Sequence, residues 1–204
     1  MAKRARGVDP RYAERRRRIA EAVVTIVDRG GIEAASLRDV AAEAGVSLGG
    51  VQHYFRGKDE MMLFALEYVR ERGEARVRER LGAIPASLPV AIVLREILVE
   101  LLPTDERSAA GVRIATAFTT RALVAPLLAD HLRHGYESLH RLLTLLIVRG
   151  KENGQISTDR DAESEAATLL ALAEGLGVHV LVGHRPIPNA VAALDASLGR
   201  LCGD

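Results

Sequence analysis

The sequence predicts an all-α protein of about nine helices, with a three-helix head at the N-terminus followed by a longer helical bundle. Three observations lead there. Strand-like alternation of apolar and polar residues is absent. Gly and Pro fall between the stretches that carry helical periodicity. Ser36 to Met61 reads as two short helices joined by a tight turn.

Residues 1–10 are expected to form a disordered basic arm. The first helix runs from about Arg11 to Arg29, with Ile19, Val23, Ile26 and Val27 on one face, and Gly30-Gly31 ends it. Ile32 is expected to tuck into the head. Ser36 starts the next helix, where its oxygen and the Asp39 carboxylate can each accept an orphaned backbone N–H. Leu37, Val40, Ala41 and Ala44 then share one face. Gly45 stops the helix, because glycine takes a left-handed conformation without steric cost. Val46 fills the angle between the helices, Ser47 caps the second one, and Val51 and Phe55 carry its buried face. Small Ala41 marks a close crossing of the two helices, and Val51 faces back into it. A helical hairpin in an ordinary core is the alternative. The caps, the turn glycine and both apolar faces agree on a helix-turn-helix.

A fourth helix follows from Lys58 to about Leu81, with Leu63, Leu66, Val69 and Val77 as apolar anchors. Pro85 and Pro89 break the chain. Further helices are expected from Leu88 to Leu102, Asp105 to Ala122, Pro126 to Asn153 and Asp159 to Val182, and a last one after Pro188.

At 204 residues the chain can bury a good core. Its net charge of +1 hides an asymmetry. Residues 1–58 hold 12 Lys and Arg against 7 acids, and the remainder 16 against 20. A basic head on an acidic body fits a head that meets phosphates. The single cysteine, Cys202, allows no internal disulfide, and no metal or cofactor site is expected. The basic N-terminus lacks the apolar run of a secretory signal. No stretch reads as long and apolar enough to span a bilayer, the richest being Leu139 to Val148 with Arg141 inside it. A cytoplasmic protein without a membrane partner is expected.

The helix-turn-helix segment resembles the TetR family of bacterial transcription regulators. The residues that carry the resemblance are Gly45-Val46-Ser47-Leu48-Gly49, then His53-Tyr54-Phe55, then Lys58-Asp59-Glu60-Met61. Gln52 stands where many members have Tyr, a variant of a BetI-like branch. The resemblance spans roughly residues 11 to 66. It implies a DNA-binding domain over 11–57 and a ligand-binding and dimerisation domain over 58–204, with the fourth helix as the lever between them.

Base reading is expected from Gln52 and His53, with Ser47, Leu48 and Gly50 beside them, since these are short or hydrogen-bonding groups on the outward face of the second helix. Gly49 and Gly50 each cost about 1 kcal/mol in a helix. They either let the backbone approach DNA or relieve packing against the first helix. In the run Arg15-Arg16-Arg17-Arg18 some residues must face solvent, and Arg15 is a candidate phosphate contact alongside Ser36 and Arg38 at a helix start. The resemblance adds Tyr54 and Lys58 as phosphate contacts.

One recognition helix reads too few bases for a specific site, so a two-fold dimer on an inverted-repeat operator in double-stranded DNA is expected. A stripe of Leu170, Ala171, Val178 and Leu181, with Ala167, Gly175 and Gly177 nearby, and a second of Val191, Leu194 and Leu198 suit a helix interface. The resemblance implies that the last two helices form it. The alternative is that the stripes face their own core. Phe64, Thr116, Phe118, Thr119, His131, Tyr136, His140 and Glu174 interrupt otherwise aliphatic helices and are candidates for a pocket holding a small-molecule effector, its identity unknown. Each is otherwise a satisfied core or surface residue.

These readings combine into a homodimeric, ligand-released repressor. An enzyme is the rival from another class, but no G-x-S-x-G elbow, Walker loop or H-E-x-x-H motif occurs. His131 and His134 share a helix face without a third metal ligand. A non-specific architectural DNA-binding protein is the second rival, against which the large body argues.

Overall fold

The computed structural model describes residues 10–82 and 88–203. The expected basic arm, apart from Pro10, and the break at Pro85 lie outside these. The described residues are all-α: α1 Pro10–Gly30, a 3-10 turn Ile32–Ala34, α2 Leu37–Glu43, α3 Leu48–Tyr54, α4 Lys58–Leu81, α5 Val90–Val99, α6 Glu106–Ala122, α7 Pro126–Glu152, α8 Ala162–Leu181 and α9 Ile187–Cys202. The chain divides into two compact units between Val69 and Arg70, so the head includes the N-terminal half of α4. α5 is shorter at both ends than its periodicity suggested, and α8 starts at Ala162 because Asp161, not Asp159, supplies its cap, accepting from the Ser164 N–H at 2.8 Å.

In the head, α1 to α3 close around Ile19, Val23, Val40 and Val51, all fully buried. Gly45 takes φ +64°, and the Val46 N–H returns to the Ala41 carbonyl at 3.0 Å. The turn between α2 and α3 is thus closed as its sequence predicts. Ser36 caps α2 by accepting from the Asp39 N–H at 3.2 Å. The reciprocal half of the expected capping box is not made. The Ser36 N–H goes to the Ala34 carbonyl, and the Asp39 carboxylate takes the Ser36 hydroxyl instead. Aspartate is a methylene shorter than glutamate and does not reach back. The buried anchors of α4 are Met61, Met62, Ala65 and Leu66 rather than Leu63, Val69 and Val77, which are half-buried.

The C-terminal half of α4 belongs to the body and has no fully buried residue. It is held to α5 by charge. Arg76 Nε donates to Glu100 at 2.7 Å, while Arg80 donates to Glu96 at 2.7 Å and Glu100 at 2.9 Å. Arg95 carries the ladder on to α9, donating from Nε to Asp195 at 2.7 Å.

α8 is the central element of the body, packing on α5, α6, α7 and α9. Its Leu169, Ala173 and Leu176 meet Leu98, Leu143, Ile147, Leu194 and Leu198 in one apolar core. A Cβ on Gly177 would stand 2.5 Å from the Leu101 carbonyl oxygen, so α8 passes the end of α5 at a distance only glycine permits. The sequence reading that no stretch could span a bilayer needs correction. Ala162–Leu181 meets that test by length and composition. It passes because α8 is apolar on its core side and lined with Ala, Gly and Val on the other.

Candidate nucleic-acid interface

The head presents a shallow open groove lined by Ser36, Leu37, Arg38 and Asp39 from the start of α2 and by Leu48 and Gln52 from α3. Four of the ten residues predicted to touch DNA therefore meet on one surface. Leu37 and Asp39 are the lining residues that sequence reasoning missed, since their cap and face roles concealed their exposed edges. Gln52 and His53 are exposed on α3. Ser47 accepts from the Gly50 N–H at 3.0 Å, so its hydroxyl fixes the start of α3. Neither glycine relieves packing against α1. A Cβ on Gly49 would meet nothing within 4 Å, and one on Gly50 would stand 3.2 Å from the Ser47 Oγ. Gly50 thus leaves room for the cap, and Gly49 leaves bare backbone at the surface.

The arginine run resolves into four separate jobs. Arg18 Nη2 donates to the Ala44 carbonyl at 2.8 Å and so caps the C-terminus of α2. Arg17 pairs with Glu14 at 2.7 Å and Glu21 at 3.1 Å along α1. Arg16 lies over Phe64 at 4.0 Å and Phe55 at 5.2 Å from the ring centroids. Arg15 is exposed. It is the member of the run whose side chain has no ion pair, hydrogen bond or ring contact within the described head. Tyr54 is half-buried, its ring centroid 4.7 Å from that of Tyr12 and tilted 56° to it. Lys58 Nζ lies 3.7 Å from Glu33, an exposed partner that solvent or a phosphate can replace.

The candidate pocket residues do not form one group. Phe64 is corrected to the head, where its ring packs with Phe55 at 5.5 Å and under Arg16. Phe118 is fully buried in the body. The Thr116 hydroxyl donates to the Val112 carbonyl at 2.8 Å on its own helix. His131 is half-buried on α7. His140 Nε2 is 3.1 Å from the Glu163 carbonyl oxygen, tying α7 to the first turn of α8. Three residues do come together at α6, α7 and α8. Thr119 Oγ1 lies 3.3 Å from the Tyr136 hydroxyl, which faces the Glu174 carboxyl. Burial pushes the Glu174 carboxyl above its ordinary range, and the Tyr136 hydroxyl opposes that rise. The same burial raises Tyr136.

The predicted dimer stripes also need correction. Leu170, Leu194 and Leu198 are buried within this chain, because α8 and α9 turn those positions inward to their common core. Gly177 is likewise inward. Ala171 and Val178 are exposed, while Leu181 and Val191 are half-buried. The outward line on α8 is Ala167, Ala171, Gly175, Val178 and Val182, at helical spacing. Nothing lies within 4 Å of where a Gly175 Cβ would stand, and Val182 is 71% exposed.

A capped helix-turn-helix on a basic head, joined through one long helix to a helical body, is the construction of a DNA-binding transcription regulator. Comparison with known proteins agrees. Residues 19–64 match the family model described as bacterial regulatory proteins, tetR family, and residues 92–203 match that of the BetI-type transcriptional repressor, C-terminal. The chain is 33% identical over 172 residues to the HTH-type transcriptional regulator PksA of Bacillus subtilis, covering 84% of this chain and 80% of that protein. A transcriptional regulator from Rhodococcus sp. Rha1 has 32% identity and a TM-score of 0.79, over 91% of this chain and 95% of its own. A transcriptional regulator from Saccharomonospora viridis, solved in complex with choline, has 26% identity and a TM-score of 0.77, over 92% and 95%. The chain belongs to the TetR family of transcriptional regulators, in its BetI-like branch. It is a regulator and not an enzyme.

Proposed function

We propose that the protein is a homodimeric repressor that binds an inverted-repeat operator in the cytoplasm and leaves it when a small molecule occupies the body. The observation that carries this reading is the groove that joins Ser36, Arg38, Leu48 and Gln52 on a head whose helix ends are capped by Ser36, Ser47 and Arg18. The head, which extends to Val69 and so beyond the boundary at residue 57 expected from the sequence, reads DNA, and residues 70–204 bind ligand and dimerise. Gln52 and His53, with Leu48, Ser47 and Gly50, face base edges, where glutamine can bond an adenine with two hydrogen bonds. Arg15, Ser36, Arg38, Tyr54 and Lys58 hold phosphates.

Dimerisation uses the outward line of α8, from Ala167 through Ala171 to Val178 and Val182, with Leu181 and Val191 at its border. Small residues there let a second α8 approach closely. The dimer sets the spacing of two heads. A ligand that prefers a different body conformation shifts the population toward heads that no longer match two half-sites. Selection of bound duplexes from a random pool tests the proposal. An enriched inverted repeat is the expected result, and enrichment of single half-sites or of no sequence by the folded protein overturns it.

A further inference from the structure

Glu174 differs from other partly buried carboxylates of the body. Glu100 faces Arg76 and Arg80, Glu96 faces Arg80 and Arg95, and Glu165 faces Arg160. Each acid is answered by a guanidinium, in a body rich in arginine. Glu174 is half-buried, yet the interaction that acts on its carboxyl among the described residues comes from the neutral Tyr136 hydroxyl. A carboxylate withdrawn from water without a cation is unfavourable, and it becomes favourable when a cation arrives. We infer that Glu174, Tyr136 and Thr119 form the ligand subsite of the body and that it takes a protonated primary or secondary amine. The inference rests on the ligand-responsive reading above and adds the chemistry of the ligand.

The geometry favours a cation that carries N–H donors. The Thr119 hydroxyl spends its proton on the Ala115 carbonyl at 2.9 Å, which leaves its oxygen as an acceptor. The Tyr136 oxygen stands 3.3 Å from it and offers another acceptor. With the Glu174 carboxylate, three acceptors from three helices converge, which suits an alkylammonium group. A quaternary ammonium has no N–H and is held instead by several aromatic faces. Beyond residue 69 the sequence holds two aromatic residues, Phe118 and Tyr136, and Phe118 is fully buried. Within the body the subsite therefore offers one exposed ring, Tyr136. The subsite is reachable, since Tyr136 is 37% exposed. Gly135 beside it has nothing within 4 Å of where a Cβ would stand.

The test is calorimetric titration of the full-length protein at neutral pH with three probes of one chain length: hexylamine, hexyltrimethylammonium and 1-hexanol. Hexylamine is expected to bind at least about tenfold more tightly than either analogue, the scale of a charge-assisted hydrogen bond. Glu174→Gln, which keeps the side-chain shape, is expected to remove that advantage, and Tyr136→Phe to weaken it several-fold, both with an unchanged circular dichroism spectrum. Equal binding of the three probes, no binding of hexylamine at millimolar concentration, or unchanged hexylamine binding in Glu174→Gln overturns the inference. Operator affinity is measured in parallel on the same samples. Glu174-dependent amine binding that leaves operator affinity unchanged supports the amine subsite and overturns ligand release, so the two readings fail separately.

Discussion

The guanidinium of Arg16 on α1 lies 4.0 Å from the ring centroid of Phe64 on α4, and its Nε is buried with no hydrogen-bond acceptor among the described residues. Phe55, at the end of α3, lies under the same guanidinium. One cation therefore bridges α1, the end of α3 and the start of α4 through ring faces. Arginine serves this role because its flat, weakly hydrated group stacks on rings.

A double-mutant cycle of Arg16→Met and Phe64→Leu is expected to show a coupling of about 1 kcal/mol. Urea unfolding of the four proteins measures it. Independent effects of the two substitutions would show that the stacking adds nothing beyond area.

Arg15→Ala is expected to weaken DNA binding uniformly across sequences and to lower the salt slope by about 1, the signature of one lost phosphate contact. Arg17→Ala, which breaks only exposed pairs within α1, leaves the slope unchanged. Affinities over a range of potassium chloride concentrations distinguish the two, and equal slopes for both variants contradict the assignment.

Two neighbouring positions on α8 separate folding from assembly. Gly177→Ala places a methyl 2.5 Å from the Leu101 carbonyl and is expected to destabilise the protomer by about 1–3 kcal/mol. Val178→Arg, one residue on and exposed, is expected to leave a folded monomer that binds operator weakly. Thermal melting and light scattering check both. A dimer that survives Val178→Arg rules out this face as the interface.

Glu174 gives a pH signature. Its carboxyl is raised in the folded protein, so folding favours the protonated form. The stabilising contribution of that form is complete below the ordinary value of 4.5 and is lost as the pH rises through the raised one. Glu174→Gln, always neutral, is therefore expected to melt above the natural chain at neutral pH and level with it in acid. A difference in melting temperature that is constant with pH would assign the effect to packing alone.

The head was largely legible because its signals are local. Caps, a turn glycine and two apolar faces act within a few residues, and Ser47, Gly45 and Val51 stand as their spacing suggested. Arg16 and Phe64 were not legible as partners, since their contact depends on how α1 packs against α4. The body was less legible for a related reason. Helical periodicity marks an apolar face but does not say which neighbour covers it. Leu170 and Ala171 are adjacent in one aliphatic stretch, yet one is in the core and the other is exposed. Packing by four other helices leaves α8 little outward surface, and small residues lie on both sides of it.

The ladder of Arg76, Arg80, Glu96 and Glu100 makes the seat of α4 on α5 a matter of water and ions more than of grease. An oily seat is lost all at once when it opens. A row of charged pairs can be exchanged for hydration stepwise, the more exposed Arg80–Glu96 rung before the Arg76–Glu100 rung, whose Glu100 side chain is 10% exposed. The helix that runs from head to body is thus moored rather than glued. Because its carboxylates are largely withdrawn from water, salt screens this mooring far less than it screens charges on an open surface.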